Sequence, residues 1–83
     1  MNRKEMTREQ LTEAIRAIIE ERLGVAADEI TEEKSLVNDL GADSLDSVEL
    51  IMSIEQKFEM TIPEEATEQI KTVGDIIDYV EKN

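Results

Sequence analysis

The run Asp39-Leu40-Gly41-Ala42-Asp43-Ser44-Leu45-Asp46 holds the residues of this chain best placed to do chemistry. A serine hydroxyl sits between two aspartates, where a glycine-containing loop gives way to helical spacing. The chain has no cysteine and no histidine, so a nucleophile here is a hydroxyl and its base a lysine or a carboxylate.

Three chemistries are open to Ser44. The first is nucleophilic catalysis. An unassisted serine hydroxyl is weak and needs a base beside it. Asp43 and Asp46 do not replace a triad base, and no Gly-x-Ser-x-Gly elbow is present. We therefore expect no enzyme and no catalytic residue. The second is metal binding. Asp39, Asp43, Asp46 and Glu49 crowd one region. Their spacing departs from the alternating donors of an EF-hand loop, so weak adventitious binding is expected and no dedicated metal site. The third is modification. A hydroxyl at a helix N-terminus suits a phosphate, because free N–H groups and the positive dipole end stabilise the anion. Spacing alone leaves this level with a plain helix-start role, for which serine is common.

The elements that position these residues follow from apolar spacing. Met1 to Met6 is a polar start with Arg3 and Lys4, expected to fray. Thr7-Arg8-Glu9-Gln10 reads as a capping box. Leu11, Ala14, Ile15, Ile18, Ile19 and Leu23 then recur at helical spacing, and Gly24 stops the helix. Residues 25–43 lack sustained periodicity and make a long connection, with Ile30, Leu36, Val37 and Leu40 expected to pin it to the core. Ser35 to Leu40 suits a single turn, and Gly41 permits a reversal.

The second helix starts at Asp43 or Ser44, with Asp43 as N-cap and Asp46 adding charge to the first turn. It runs to about Phe58 or Glu59. Pro63, at the first helical position, opens a short third helix ending near Ile70. Thr72 caps a fourth, in which Val73, Ile76, Ile77 and Val80 share one face. No strand alternation, repeat or linker interrupts this. The expectation is one all-α domain over residues 1–83, a four-helix bundle with a short third helix and a long loop between helices one and two.

Composition narrows the partners. Twenty-one acids against nine bases give a net charge of −12. Such a chain repels nucleic acid, stays monomeric and attracts basic proteins. Phe58 and Tyr79 alone give no platform for stacking bases. Hydrophobic residues make up 40% of the chain, at helical spacing, which argues against disorder. No apolar run reads as a signal peptide or a membrane span. Lack of cysteine is compatible with a cytoplasmic protein.

The second helix carries two apolar faces. At ~100° per residue, Leu50, Ile51, Ile54 and Phe58 fall together and must face the core. Leu45, Val48 and Met52 fall on roughly the opposite side, rimmed by Glu49, Glu55, Gln56 and Glu59. One small core cannot bury both. The second strip therefore reads as a docking surface, against the plainer alternative of scattered surface residues. Met52 suits varied partners, and the acidic rim steers basic ones toward brief contacts.

These residues resemble a known family. Leu40 to Leu50, with Asp43-Ser44-Leu45 at its centre, looks like the signature of bacterial acyl carrier proteins of type II fatty acid synthesis. The resemblance extends through Leu23-Gly24-Val25, Ser35 to Leu40, Glu55 to Phe58, Ile62 to Ala66 and Thr72 to Val80. It covers roughly Thr7 to Glu81. Gln56 stands where an acid is common in that family, Ser47 replaces a frequent threonine, and Met1 to Met6 is an extension.

The resemblance implies a cytoplasmic carrier of fatty acyl chains. A phosphopantetheinyl transferase would attach 4′-phosphopantetheine from coenzyme A to Ser44, and the arm's thiol would hold acyl groups as thioesters. The reactive sulfur that the chain lacks would thus arrive with the cofactor. The implied partner face comprises Asp43, Leu45, Asp46, Val48, Glu49, Met52 and Glu55, with Ile62 and Glu68 nearby. It would meet basic patches on fatty acid synthesis enzymes and acyltransferases. The implied acyl pocket lies against Ile54, Phe58, Ile62 and Ile70. Two other readings stand beside this one: a carrier of polyketide, aminoacyl, D-alanyl or specialised lipid cargo, and an acidic adaptor with no cargo.

The charge makes a direct prediction. Lowering the pH toward the carboxylate range, or adding magnesium, should raise the melting temperature, because either relieves like-charge repulsion. A melting temperature that falls steadily with magnesium contradicts this.

Overall fold

Three of the helices begin on the same device, a reciprocal pair of bonds between side chain and backbone. In the computed structural model, which describes residues 3–83, Thr7 opens α1 (Arg8–Leu23). Its hydroxyl accepts from Gln10 N–H at 3.1 Å, and Gln10 Oε1 accepts from Thr7 N–H at 2.9 Å. Asp43 and Asp46 open α2 (Ser44–Phe58) in the same way. Thr72 and Asp75 open α4 (Val73–Lys82). Each pair satisfies two N–H groups that a helix start otherwise leaves bare. Gly24 closes α1 in the left-handed region, at φ 68°.

The helices pack around one apolar cluster. Leu11, Ile15 and Ile19 of α1 meet Leu50, Ile54 and Phe58 of α2 and Val73, Ile76, Ile77 and Val80 of α4. Among the described residues no polar or charged residue is buried. This is the all-α bundle expected from the apolar spacing, with no strand among the described residues.

The long connection is held by backbone bonds as well as by side chains. Ile30, Leu36, Leu40 and Ala42 are buried in the shared core. Leu36 N–H donates to Lys71 O at 3.0 Å, Val73 N–H to Lys34 O at 3.1 Å and Gly74 N–H to Glu32 O at 2.8 Å. A Cβ on Gly74 would stand 3.1 Å from Glu32 O, so this close approach favours glycine. Arg8 adds a polar clasp. Its guanidinium donates to Glu32 at 2.7 Å, Asp78 at 2.8 Å and Glu81 at 2.9 Å, joining α1, the loop and α4. The bond to Glu32, then that to Asp78, holds the guanidinium above its usual pKa, against a partial loss of hydration.

Three expectations need correcting. Val37 does not pin the loop to the core: it is 59% exposed. The turn at 35–40 places Leu36 and Leu40 inward, and Val37, one residue beyond Leu36, faces out. Residues 3–6, expected to fray, take a defined conformation. Arg3 to Glu5 form a 3-10 turn, and the Arg3 guanidinium donates to Phe58 O at 2.8 Å and Asn83 O at 2.9 Å. These carbonyls end α2 and α4, where a cation is favoured by the helix dipole. Met6 packs half-buried on the core, while Met1 and Asn2 lie outside the described residues. Finally, α3 is only Glu64–Thr67, with Pro63 as its cap rather than its first residue. Bonds of the tighter i to i−3 type, Gln69 N–H to Ala66 O and Ile70 N–H to Thr67 O, carry the chain on to Ile70.

Two predictions follow from these termini. Glu59 ends α2 at φ 51°, a left-handed conformation unfavourable for a residue with a Cβ. Glu59→Gly should stabilise the fold by about 1 kcal/mol and raise the melting temperature by a few degrees. An unchanged or lowered melting temperature contradicts this. The second concerns Asp75. Burial raises its pKa, but the N–H groups of Lys71 and Thr72 and the Thr72 side chain together hold it below the usual carboxylate range. Its contribution is complete above the unfolded pKa of ~3.9 and is lost as pH falls through the lower folded value. Asp75→Asn should therefore flatten the acid limb of the stability curve, read as urea midpoints against pH. An acid limb identical to wild type counts against that role.

Candidate functional site

The site is built from the start of α2. Asp43 Oδ1 accepts from Asp46 N–H at 2.8 Å, and Asp46 Oδ2 accepts from Asp43 N–H at 3.2 Å. Asp46 thus does more than charge the first turn: it completes the capping pair. The signal for this was an acidic residue three positions after the cap. Ser47 N–H goes to Asp43 O at 3.0 Å, which leaves the N–H groups of Ser44 and Leu45 at the mouth of the helix. Ser44 is the first helical residue and is exposed. Its hydroxyl stands outside the capping pair, so the helix-start bonding that could have explained it belongs to Asp43 instead.

The crowded carboxylates are committed separately. Asp39 accepts from Ser35 N–H at 2.7 Å, Asp43 and Asp46 engage each other's backbone, and Glu49 lies 3.8 Å from Arg22. No group of three or more acidic residues among those described is arranged to hold a metal ion.

Beside Ser44 opens a cavity of about 1050 Å³. Its walls come from the loop (Ser35 to Asn38), from one side of α2 (Ser44, Ser47, Val48, Ile51, Met52, Glu55), and from Ile62, Thr67, Glu68, Ile70 and Lys71 around α3. Of the expected pocket residues, Ile62 and Ile70 line this cavity. Ile54 and Phe58 do not: they are 0% and 5% exposed and face the central cluster. Ile51, assigned to the core by spacing, is half-buried: it packs against the core and also lines the cavity. It lies at the edge of the apolar face, where helical projection cannot separate core from cavity. Sequence reasoning also missed Val37 as a wall residue, since a loop has no periodicity to orient it.

The outer strip is present. Leu45 is 63% exposed, Val48 56% and Met52 51%. Asp43, Glu49, Gln56 and Glu59 are exposed around it, Asp46 is half-exposed, and Glu68 is exposed at the cavity's far edge. Two expected face residues are placed differently. Ile62 is buried, 5% exposed, on the cavity side. Glu55 is half-buried, and its Oε2 accepts from Ile62 N–H at 2.7 Å.

The site is thus an exposed serine at a helix start, with free amides on one side and a largely apolar cavity on the other. The model of the phosphopantetheine attachment site matches residues 13–80, so the class is that of phosphopantetheine-attachment domains. The chain is also 56% identical over 66 residues to the acyl carrier protein of Porphyromonas gingivalis, in each of two strains, covering 80% of this chain and 85% of the relative. The chain belongs to the acyl carrier protein family. Among solved structures, the acyl carrier protein from Enterococcus faecalis superposes with a TM-score of 0.80 at 35% identity, covering 94% of this chain and 99% of that one.

Proposed function

We propose that Ser44 carries a 4′-phosphopantetheine arm and that the chain delivers acyl groups, held on it as thioesters, to enzymes of fatty acid synthesis. The observation that carries this reading is the placement of Ser44: exposed, first in α2, at the mouth of the cavity between α2 and α3.

The residues fit the group. The amides of Ser44 and Leu45 and the dipole of α2 favour a phosphodiester on the hydroxyl. Asp43 and Asp46 oppose it by charge, but their capping bonds to each other's backbone offset part of that charge. When bound, the arm supplies the thiol that the chain lacks. Ile51, Ile62 and Ile70 offer apolar wall to a hydrocarbon, and a buried CH₂ group is worth ~0.8 kcal/mol. Withdrawal of several such groups from water protects both the chain and its thioester end.

The strip of Leu45, Val48 and Met52, with Asp43, Asp46, Glu49, Glu55 and Glu68 around it, is the proposed docking face. Its partners are a phosphopantetheinyl transferase, synthesis enzymes and acyltransferases with basic patches. No helix among the described residues is long and apolar enough to cross a membrane. The proposed working form is a cytoplasmic monomer with no catalytic group of its own.

Incubation with coenzyme A, magnesium and a phosphopantetheinyl transferase should add the mass of one arm to the intact protein. Ser44→Ala should abolish the adduct while leaving the melting temperature within ~0.5 kcal/mol equivalent of wild type, since the hydroxyl is exposed. No adduct, or one that survives Ser44→Ala, overturns the assignment.

A further inference from the structure

On the carrier reading, the cavity beside Ser44 shelters a thioester from water and from foreign amines. One amine belongs to the shelter itself. Lys71 lines the cavity together with Ser44, and it is the only one of the chain's five lysines to do so. Lys57 lies in the last turn of α2 and Lys82 in the last turn of α4, and Lys4 and Lys34 are outside the cavity's lining. A guanidinium is a poor nucleophile, so the four arginines do not compete.

The fold ties Lys71 to the segment that leads into Ser44. Its carbonyl accepts from Leu36 N–H at 3.0 Å, and the Leu36 carbonyl accepts from Ala42 N–H at 2.9 Å, two residues before the serine. Its own N–H donates to Asp75 Oδ2 at 2.9 Å. The backbone is thus held on both sides, by the loop wall of the cavity and by the start of α4. The side chain is not held. Lys71 is exposed, and among the described residues its ammonium group has no hydrogen bond or ion pair.

A nucleophile placed beside a tethered electrophile reacts as if at very high concentration. An arm about as long as five extended residues reaches ~17 Å, far enough to bring its thioester end back along the cavity wall. We infer that Lys71 is a site of self-modification, where its amine takes the acyl group from the thioester borne by the same chain. The unprotonated nitrogen attacks the thioester carbon. An N–C bond forms as the C–S bond breaks, the electron pair of that bond leaves with sulfur, and the proton lost by nitrogen goes to the thiolate. No oxidant, energy source or second protein enters.

The products are an amide on Lys71 and a free thiol on the arm. An amide resists the transfers that a thioester serves, so the acyl group is withdrawn from delivery and stays against Ile62 and Ile70, which line the same cavity. Apolar cargo that lingers in the cavity is therefore the cargo at risk. This inference rests on the carrier reading.

Retained mass tests it. The full chain is loaded with octanoyl by a phosphopantetheinyl transferase, incubated alone at alkaline pH, and treated with hydroxylamine, which strips thioesters and spares amides. A fraction of chains that grows with time should keep the octanoyl mass. Peptide mapping should place it on Lys71, at least about tenfold above any other lysine. The rate constant should not change with protein concentration, because donor and acceptor share one chain. Lys71→Arg should load its thioester as wild type does, keep its melting temperature because the side chain is exposed, and retain no octanoyl mass.

Absence of retained mass overturns the inference. So does retention on another lysine, undiminished retention in Lys71→Arg, or a rate that scales with concentration. In each of these cases the carrier reading stands, because the thioester was loaded. Failure to add the arm at all overturns that reading and the inference together.

Discussion

Everything at the site depends on where α2 begins. The paired bonds between Asp43 and Asp46 fix that point, because each satisfies an N–H that would otherwise be bare at the helix mouth. With the start fixed, Ser44 is the first helical residue. The rest of the helix then falls into register: Leu50, Ile54 and Phe58 inward, Leu45 outward, Val48 and Met52 outward on the cavity's rim, and Ser47, Ile51 and Glu55 toward the cavity. A start displaced by one residue would turn each of these side chains by ~100°.

The cavity exists because the elements around it are held unequally. α1, α2 and α4 share a dense apolar cluster, and the long loop is bonded along the start of α4. The stretch between α2 and α4 has no such support. It anchors Ile62 in the core, leans Ala66 and Ile70 against it, and leaves no residue of α3 fully buried. A small domain gains most by packing its three longer helices well. The remaining space, walled by the loop and α3, opens beside Ser44. On the proposed reading, the chain's negative charge keeps copies apart and makes the outer face a target for basic surfaces.

Much of this was legible in the sequence. The three longer helices and their caps were readable, because capping residues and apolar period report local bonding and a single buried face. The outward strip was readable for the same reason: Leu45, Val48 and Met52 cannot share a face with Leu50 and Ile54. Placement in the connections was not. Whether Val37 or Leu36 faced inward depended on bonds from Leu36 to Lys71, far along the chain. The Arg3 clasp joins residues 55 and 80 positions apart, which no local pattern reports. The expected pocket residues divide between core and cavity. Ile54 and Phe58 were strong core residues, and the core claimed them, leaving Ile51, at the edge of the helix face, to line the cavity.

The most direct measurement of the central claim, that α2 sets an attachment point beside a cavity which shelters cargo, is an isotope-filtered NMR spectrum of octanoyl-loaded protein. The account predicts cross-peaks between the chain's methylene protons and the side chains of Ile51, Ile62 and Ile70. Cross-peaks confined to Leu45, which lies off the cavity, or none to any side chain, would contradict it.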